Sequence, residues 1–286
     1  MLTPAVLTLR QAEEEDRSQL TNLLHFETYV HRHLDWRRPL DWLGKSPFLV
    51  GERSGRLSAA LACPPDPSRV AWLRLFAVGT REEPENAWRL LWPAALEKLA
   101  GKAEEVVAIP VQGWIQNILS KSNFEHTHDV VVLDWHPSNG KSAIEDRGSQ
   151  TAMRVMRDND IASVFDVDRS SFPALWQNSK ETIHLALEQA AVATVVEVDG
   201  RVVAYQISTM SSQGLHLARL AVHPDYQGRH FALSLVADLQ ERTSANQEHR
   251  LSVNTQDINT PSLGLYERAG FKRTGEAFPV YQMALS

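Results

Sequence analysis

Residues Arg219 to Leu239 read RLAVHPDYQGRHFALSLVADL. An apolar strand pattern ends at Val222, Pro224 stops it for want of a ladder N–H, and a polar turn holding Gly228 follows. From Phe231 the apolar residues recur at helical spacing through Leu235 and Leu239, with Leu233 and Val236 beside them. Strand, tight loop and helix start in that order build an anion site. The first-turn amides of a helix lack intrahelical acceptors and face outward at the positive end of its dipole. A pyrophosphate suits that place, and an ordinary strand-to-helix turn has the same outline. GxxxxGK[ST], GxGxxG after a strand, HExxH and GxSxG are all absent, so nucleotide hydrolysis, hydride transfer, zinc proteolysis and serine hydrolysis lack their usual carriers.

Working outward, the elements around this segment occur twice. Two hairpins, FLVGERSGRLSAALA from Phe48 and ATVVEVDGRVVAYQIS from Ala193, turn at Ser54-Gly55 and Asp199-Gly200, residues that tolerate positive φ. Before them, VLTLR (Val6 to Arg10) and MRVMR (Met153 to Arg157) each read as a strand leading into an acidic helix start. After them, VAWLRLFAV (Val70 to Val78) matches LHLARLAV (Leu215 to Val222), and VVAIPV (Val106 to Val111) matches HRLSVNT (His249 to Thr255). The offset is about 144 to 147 residues throughout, which argues for a tandem duplication. Each half is expected to run β-α-β-β-β-α-β-α-β, a mixed α/β unit. The polar stretch HPSNGKSAIEDRGSQ, His136 to Gln150, has neither period. The expected organisation is residues 1–136, a linker at 137–150, and 151–286.

Composition bounds the rest. The 286 residues are 43% hydrophobic and 22% charged, near the globular average, which speaks against disorder and fibrous repeats. A net charge of −6 removes the basic footprint of a general nucleic-acid binder. The lone Cys63 permits no internal disulfide and no thiolate metal site, and no apolar run reaches a membrane span of about 20 residues. With no signal-peptide pattern at the N-terminus, the chain is expected to be cytoplasmic, with no membrane, nucleic-acid or metal partner, as a monomer or homodimer.

The quoted segment resembles a known family. Gln227-Gly228-Arg229-His230-Phe231-Ala232 is similar to the Q/R-x-x-G-x-G/A pyrophosphate loop of GNAT acyltransferases, after the family's strand end at Leu220 to Tyr226. Asn259 to Phe271, NTPSLGLYERAGF, resembles that family's N-x-x-A/S-x-x-L-Y-x-x-x-G-F signature. The resemblance is strong in the second half and rests on element order in the first, a layout similar to that of mycothiol synthase. It implies two acyl-CoA N-acyltransferase units, each a mostly antiparallel mixed sheet flanked by helices. It further implies an acetyl-CoA-dependent N-acetyltransferase that moves acetyl to a primary amine of a small molecule or peptide by direct attack in a ternary complex. A non-catalytic acyl-CoA-binding or regulatory module is the alternative.

Carried over by position, backbone groups of Leu220, Ala221 and Val222 would pair with the pantetheine amides and polarise the thioester. Amides of Gln227, Gly228, Arg229, His230, Phe231, Ala232 and Leu233 would hold the pyrophosphate, and Asn259 would contact the pantetheine arm. Tyr266 would protonate the departing thiolate, although its spacing also suits a core tyrosine. His230 departs from the pattern by standing where glycine is usual, and a Cβ there can crowd backbone that approaches phosphate. The base is less defined. No carboxylate sits inside either central strand of the second half, which leaves His216 as the candidate, with a structural histidine as its rival. Arg219, Asn254 and Thr255 are further polar groups there. Phe172 and Trp176, at i and i+4, are candidate acceptor contacts or core.

At the equivalent place the first half carries Glu82, Glu83 and Glu85 around Pro84, like charges that repel a phosphate, and Leu119 falls where the second half has Tyr266. The first unit is therefore expected to be degenerate. Every tryptophan but Trp176 lies before residue 136, and Trp88 with Trp92 fits one helix face.

Overall fold

The structure, a computed structural model, describes residues 7–139, 152–245 and 249–285. Most of the expected linker, residues 140–150, lies outside them. The first half runs β1 (Thr8–Gln11), α1 (Arg17–Phe26), β2 (Tyr29–Arg32), β3 (Phe48–Arg53), β4 (Arg56–Ala62), β5 (Arg69–Trp72), β6 (Leu75–Val78), α2 (Pro84–Leu99), β7 (Ala103–Ala108), α3 (Gly113–Ser120) and β8 (Glu125–Trp135). The second runs β9 (Ala152–Val155), α4 (Ile161–Ser171), α5 (Lys180–Glu188), β10 (Val192–Val198), β11 (Arg201–Ser211), β12 (Gly214–Val222), α6 (Phe231–Ala245), β13 (Leu251–Gln256), α7 (Thr260–Arg268) and β14 (Lys272–Ala284). The mixed α/β class read from the sequence is the one observed. Strand β2 and helix α5 were not foreseen.

The duplication is visible in atomic detail. Both hairpin turns put two consecutive residues in the left-handed region, Ser54 and Gly55 at φ 52° and 75°, Asp199 and Gly200 at 51° and 74°. That is the backbone whose twist matches paired strands. Arg10 on β1 clasps Asp16 through two hydrogen bonds of 2.6 and 2.8 Å and reaches Glu52 on β3. Arg154 on β9 clasps Asp160 at 2.7 and 2.9 Å and reaches Glu197 on β10. Each aspartate also accepts a backbone N–H three residues before it, from Glu13 and Arg157. In both places a strand arginine thus pins the entry of the following helix.

The chain divides into two compact units, Met1–Thr127 with Pro279–Ser286, and His128–Phe278. In the first, β1-β3-β4-β6-β2 form an antiparallel sheet, while β5 runs parallel to β7 and β7 pairs with the end of β14, Tyr281 opposite Ala108. Strand alternation divides the apolar residues between two faces. Phe48, Val50, Ala60 and Ala77 pack with α1, and Leu49, Leu61, Phe76 and Val78 with α2. In the second unit β9, β10, β11 and β12 are antiparallel, β12 is parallel to β13, and β13 is antiparallel to β8. The observed units therefore differ from a division at residue 136 by one strand each way. Val131, Leu133 and Trp135 of β8 bury in the second unit's core with Leu251, Val253 and Phe271. The first unit takes the end of β14 from residue 279, and the second takes β8 from residue 128.

Candidate active site

Strand β12 changes partners along its length. Leu215, His216 and Leu217 pair with Leu251, Ser252 and Val253 of β13. A register shift against β11, between Ile207 and Ser208, leaves Ala218 as an extra residue on β12. Beyond it β12 stays paired with β11 to Val222 opposite Ala204, and β13 stays with β8 to Gln256 opposite Val130. Among the described residues nothing pairs the two strands past Leu217. The sheet opens into a wedge whose one side is the backbone edge of Ala218 to Val222. Such an edge can take an extended, amide-bearing ligand as an added strand would be taken.

The quoted loop sits at the mouth of the wedge. Pro224 to Tyr226 make one 3-10 turn, Gly228 has φ 75° and His230 has φ 65°, and helical bonding begins with the Ser234 N–H on the His230 carbonyl at 3.0 Å. Gln227 through His230 are exposed. The Gln227 side chain donates to the Val222 carbonyl at 3.1 Å and so ties the loop back to the strand. Arg229 lies over the Tyr226 ring, 4.9 Å from its centroid. His230 adopts the left-handed backbone that glycine takes without strain, and its side chain is exposed, while the Gln227 N–H is already taken by the Pro224 carbonyl at 3.2 Å.

Of the other expected residues, Asn259 is the N-cap of α7, accepting the Ser262 N–H at 3.3 Å, and its amide donates to Gln256 Oε1 at 3.3 Å. Tyr266 is buried on α7, 5.6 Å from Phe271 ring to ring, in the cluster that holds Leu217 and Val253. Its hydroxyl has no hydrogen-bond partner among the described residues, and burial pushes its pKa up, so the phenol stays protonated. His216 is not brought to the opening. It stands in the paired stretch, its Nδ1 2.9 Å from Ser252 Oγ, about 13 Å along the strand from Leu220. Burial, with Arg250 nearby, holds its pKa below the usual histidine range.

Phe172 and Trp176 lie in the α4–α5 connection, where they meet Arg219 and, through it, Asp168, which the sequence reading missed. Asp168 on α4 is wholly buried and accepts from Arg219 Nε at 2.8 Å, from the Tyr205 hydroxyl and from the Asn178 backbone N–H at 3.0 Å. The Arg219 guanidinium lies 3.6 Å from the Phe172 ring centroid and donates to the Trp176 carbonyl at 2.6 Å. The available signal was an acid on the apolar stripe of α4, with Ile161, Val164 and Val167.

The equivalent place in the first unit is filled by its own side chains. Consecutive amides part there as well, Leu73 donating to Val107 on β7 and Arg74 to Ala62 on β4, which is why VAWLRLFAV forms two strands rather than one. Phe76 then packs against Trp88 at 5.1 Å and Trp114 at 5.8 Å, and Trp88 stacks on Trp92 at 4.8 Å within the core. Before α2, Glu27 accepts the Thr80 N–H at 2.8 Å and Glu82 accepts from Arg53 at 2.9 Å. An internal carboxylate thus takes the Thr80 amide ahead of α2. Among the described residues there is no His, Cys, Asp or Glu group arranged to hold a metal, and no helix long and apolar enough to cross a membrane.

Residues 161–271, which contain the wedge, the loop and α7, match the Acetyltransferase (GNAT) family. Over 127 residues the chain is 27% identical to the putative bS18-alanine N-acetyltransferase of Bacillus subtilis, covering 44% of this chain and 84% of that one. A tandem GNAT protein from the clavulanic acid biosynthesis pathway superposes with a TM-score of 0.65 at 13% identity, covering 98% of this chain and 99% of that one. A GCN5-related N-acetyltransferase from Sphaerobacter thermophilus gives 0.61 at 12% identity, covering 98% and 96%. The likeness in fold thus extends past residues 161–271 to both halves.

Proposed function

We propose that residues 161–271 form a GNAT domain that transfers acetyl from acetyl-CoA to a primary amine, and that the first unit binds no acyl-CoA. The observation that carries this reading is the wedge between β12 and β13, with an exposed helix-start loop following β12 and a buried, protonated tyrosine in the cluster against which Leu220 packs. The pyrophosphate would lie on the amides of Gly228 to Leu233, since the Gln227 N–H is held by the Pro224 carbonyl, and the pantetheine would run along the edge of Leu220 to Val222. An amine attacks the thioester carbonyl carbon, and a backbone N–H of that edge stabilises the oxygen as it gains charge. The carbon–sulfur bond then breaks, Tyr266 gives its proton to the thiolate, and the ammonium proton leaves to water. His216 takes no part in this scheme because it stands in the closed stretch of the sheet.

The relative from Bacillus subtilis suggests the α-amino group of an alanine-initiated peptide as the first acceptor to try. The test is a thiol-release assay with acetyl-CoA, an alanine-initiated hexapeptide and a panel of small amines. Acceptor-dependent thiol release from at least one amine is expected. Acetyl-CoA binding without turnover of any acceptor would favour the non-catalytic module, and absence of binding would end both readings.

A further inference from the structure

Resting on the acetyltransferase reading, we propose that Asp168, Tyr205 and Arg219 form a buried latch that fixes residues 172–179 beside the open edge of β12. The latch governs acceptor binding and leaves acetyl-CoA binding untouched. No residue from Ser171 to Lys180 is buried, so this connection has no apolar anchor of its own. Segments of that kind open locally unless polar contacts hold them. The contacts converge on one guanidinium. Arg219 donates from Nε to the buried Asp168 carboxylate at 2.8 Å, with Nη2 2.6 Å from the same oxygen as an ion pair, donates from Nη2 to the Trp176 carbonyl at 2.6 Å, and covers the Phe172 ring.

Asp168 closes the loop from its other end by accepting the Asn178 N–H, and Tyr205 donates to the same carboxylate from β11. Ser171 Oγ donates to the Val222 carbonyl at 3.0 Å, and the His128 ring meets Trp176 edge-on at 5.9 Å. Arg219 itself lies on the part of β12 that has left β13, so the latch and the thioester edge share a strand. None of the three latch side chains belongs to the loop at 227–233 or to the 220–222 edge, which is why acceptor and acetyl-CoA binding separate. Lysine is no substitute, since a single ammonium cannot span a carboxylate, a carbonyl and a ring face.

Asp168→Asn would strand a buried arginine and risks unfolding the domain, so the test uses Arg219→Lys and, as a variant at a half-buried side chain, Phe172→Leu. Amide hydrogen exchange is read first. Amides at 174–179 are expected to exchange about tenfold faster or more in both variants, with the rest of 128–278 unchanged. Calorimetry should give an acetyl-CoA Kd within about twofold of the parent, while KM for the alanine-initiated hexapeptide rises about tenfold and kcat changes less. Unchanged loop exchange, a uniform rise across the unit, or a loosened loop with an unaltered KM would each overturn the proposal. If the parent protein does not bind acetyl-CoA, the acetyltransferase reading fails on its own, and the exchange pattern still decides whether the latch exists.

Discussion

Tyr266 and His230 carry the chemistry that single residues can test. Tyr266→Phe removes the only proton donor assigned to the leaving thiolate and keeps the ring against Phe271. Turnover should fall about 10²-fold or more while acetyl-CoA affinity stays within about twofold; equal losses in both would mark Tyr266 as a packing residue. His230→Gly releases a side chain from left-handed backbone, so thermal stability should rise by up to about 1 kcal/mol and the Kd for CoA should hold or tighten. A weaker CoA complex in that variant would show the imidazole itself to be a ligand. Tyr266 could be named from the sequence because its spacing from Asn259 to Phe271 is a local motif. Asp168 could not, because its partners Tyr205 and Arg219 are 37 and 51 residues away and only the sheet brings them together. His216 could be named as a strand histidine, but the strand's change of partner at Ala218 decides which of its residues face the opening.

At the scale of elements, the two arginine–aspartate clasps give a paired test. The Arg10 and Arg154 hydrogen bonds hold the Asp16 and Asp160 carboxyls below the usual carboxylate range. A depressed folded-state pKa contributes stability that is complete above the unfolded value near ~3.9 and is lost as pH falls through the folded value. Asp160→Asn should therefore cost about 1–2 kcal/mol at pH 7, the lower part of the range for charged hydrogen bonds because Arg154 is partly solvated. The difference from the parent should shrink as the pH drops below about 4, as followed by denaturant melts. A deficit that persists undiminished at acid pH would assign the loss to packing. The hairpin turns were readable from Ser54-Gly55 and Asp199-Gly200. The break in VAWLRLFAV was not, since an unbroken apolar run does not say that Leu73 and Arg74 bond to opposite neighbours.

On the scale of the molecule, the exchange of strands matters most, and it is hidden in the sequence because β8 and β14 carry the same patterning whichever unit they join. A chain cut at residue 136 would leave β13 without its antiparallel neighbour and β7 without the end of β14. Fragments 1–136 and 151–286 made separately should each melt at least several degrees below the intact chain and recover cooperative folding when co-expressed; a fragment 151–286 that folds at parental stability alone would contradict this. The larger claim is that one of two copies of a fold keeps an acyl-CoA site while the other fills it with Phe76, Trp88 and Trp114. Calorimetric titration of the whole chain with CoA tests it most directly. The account predicts one site per chain, and a stoichiometry of two sites, or none, would contradict it.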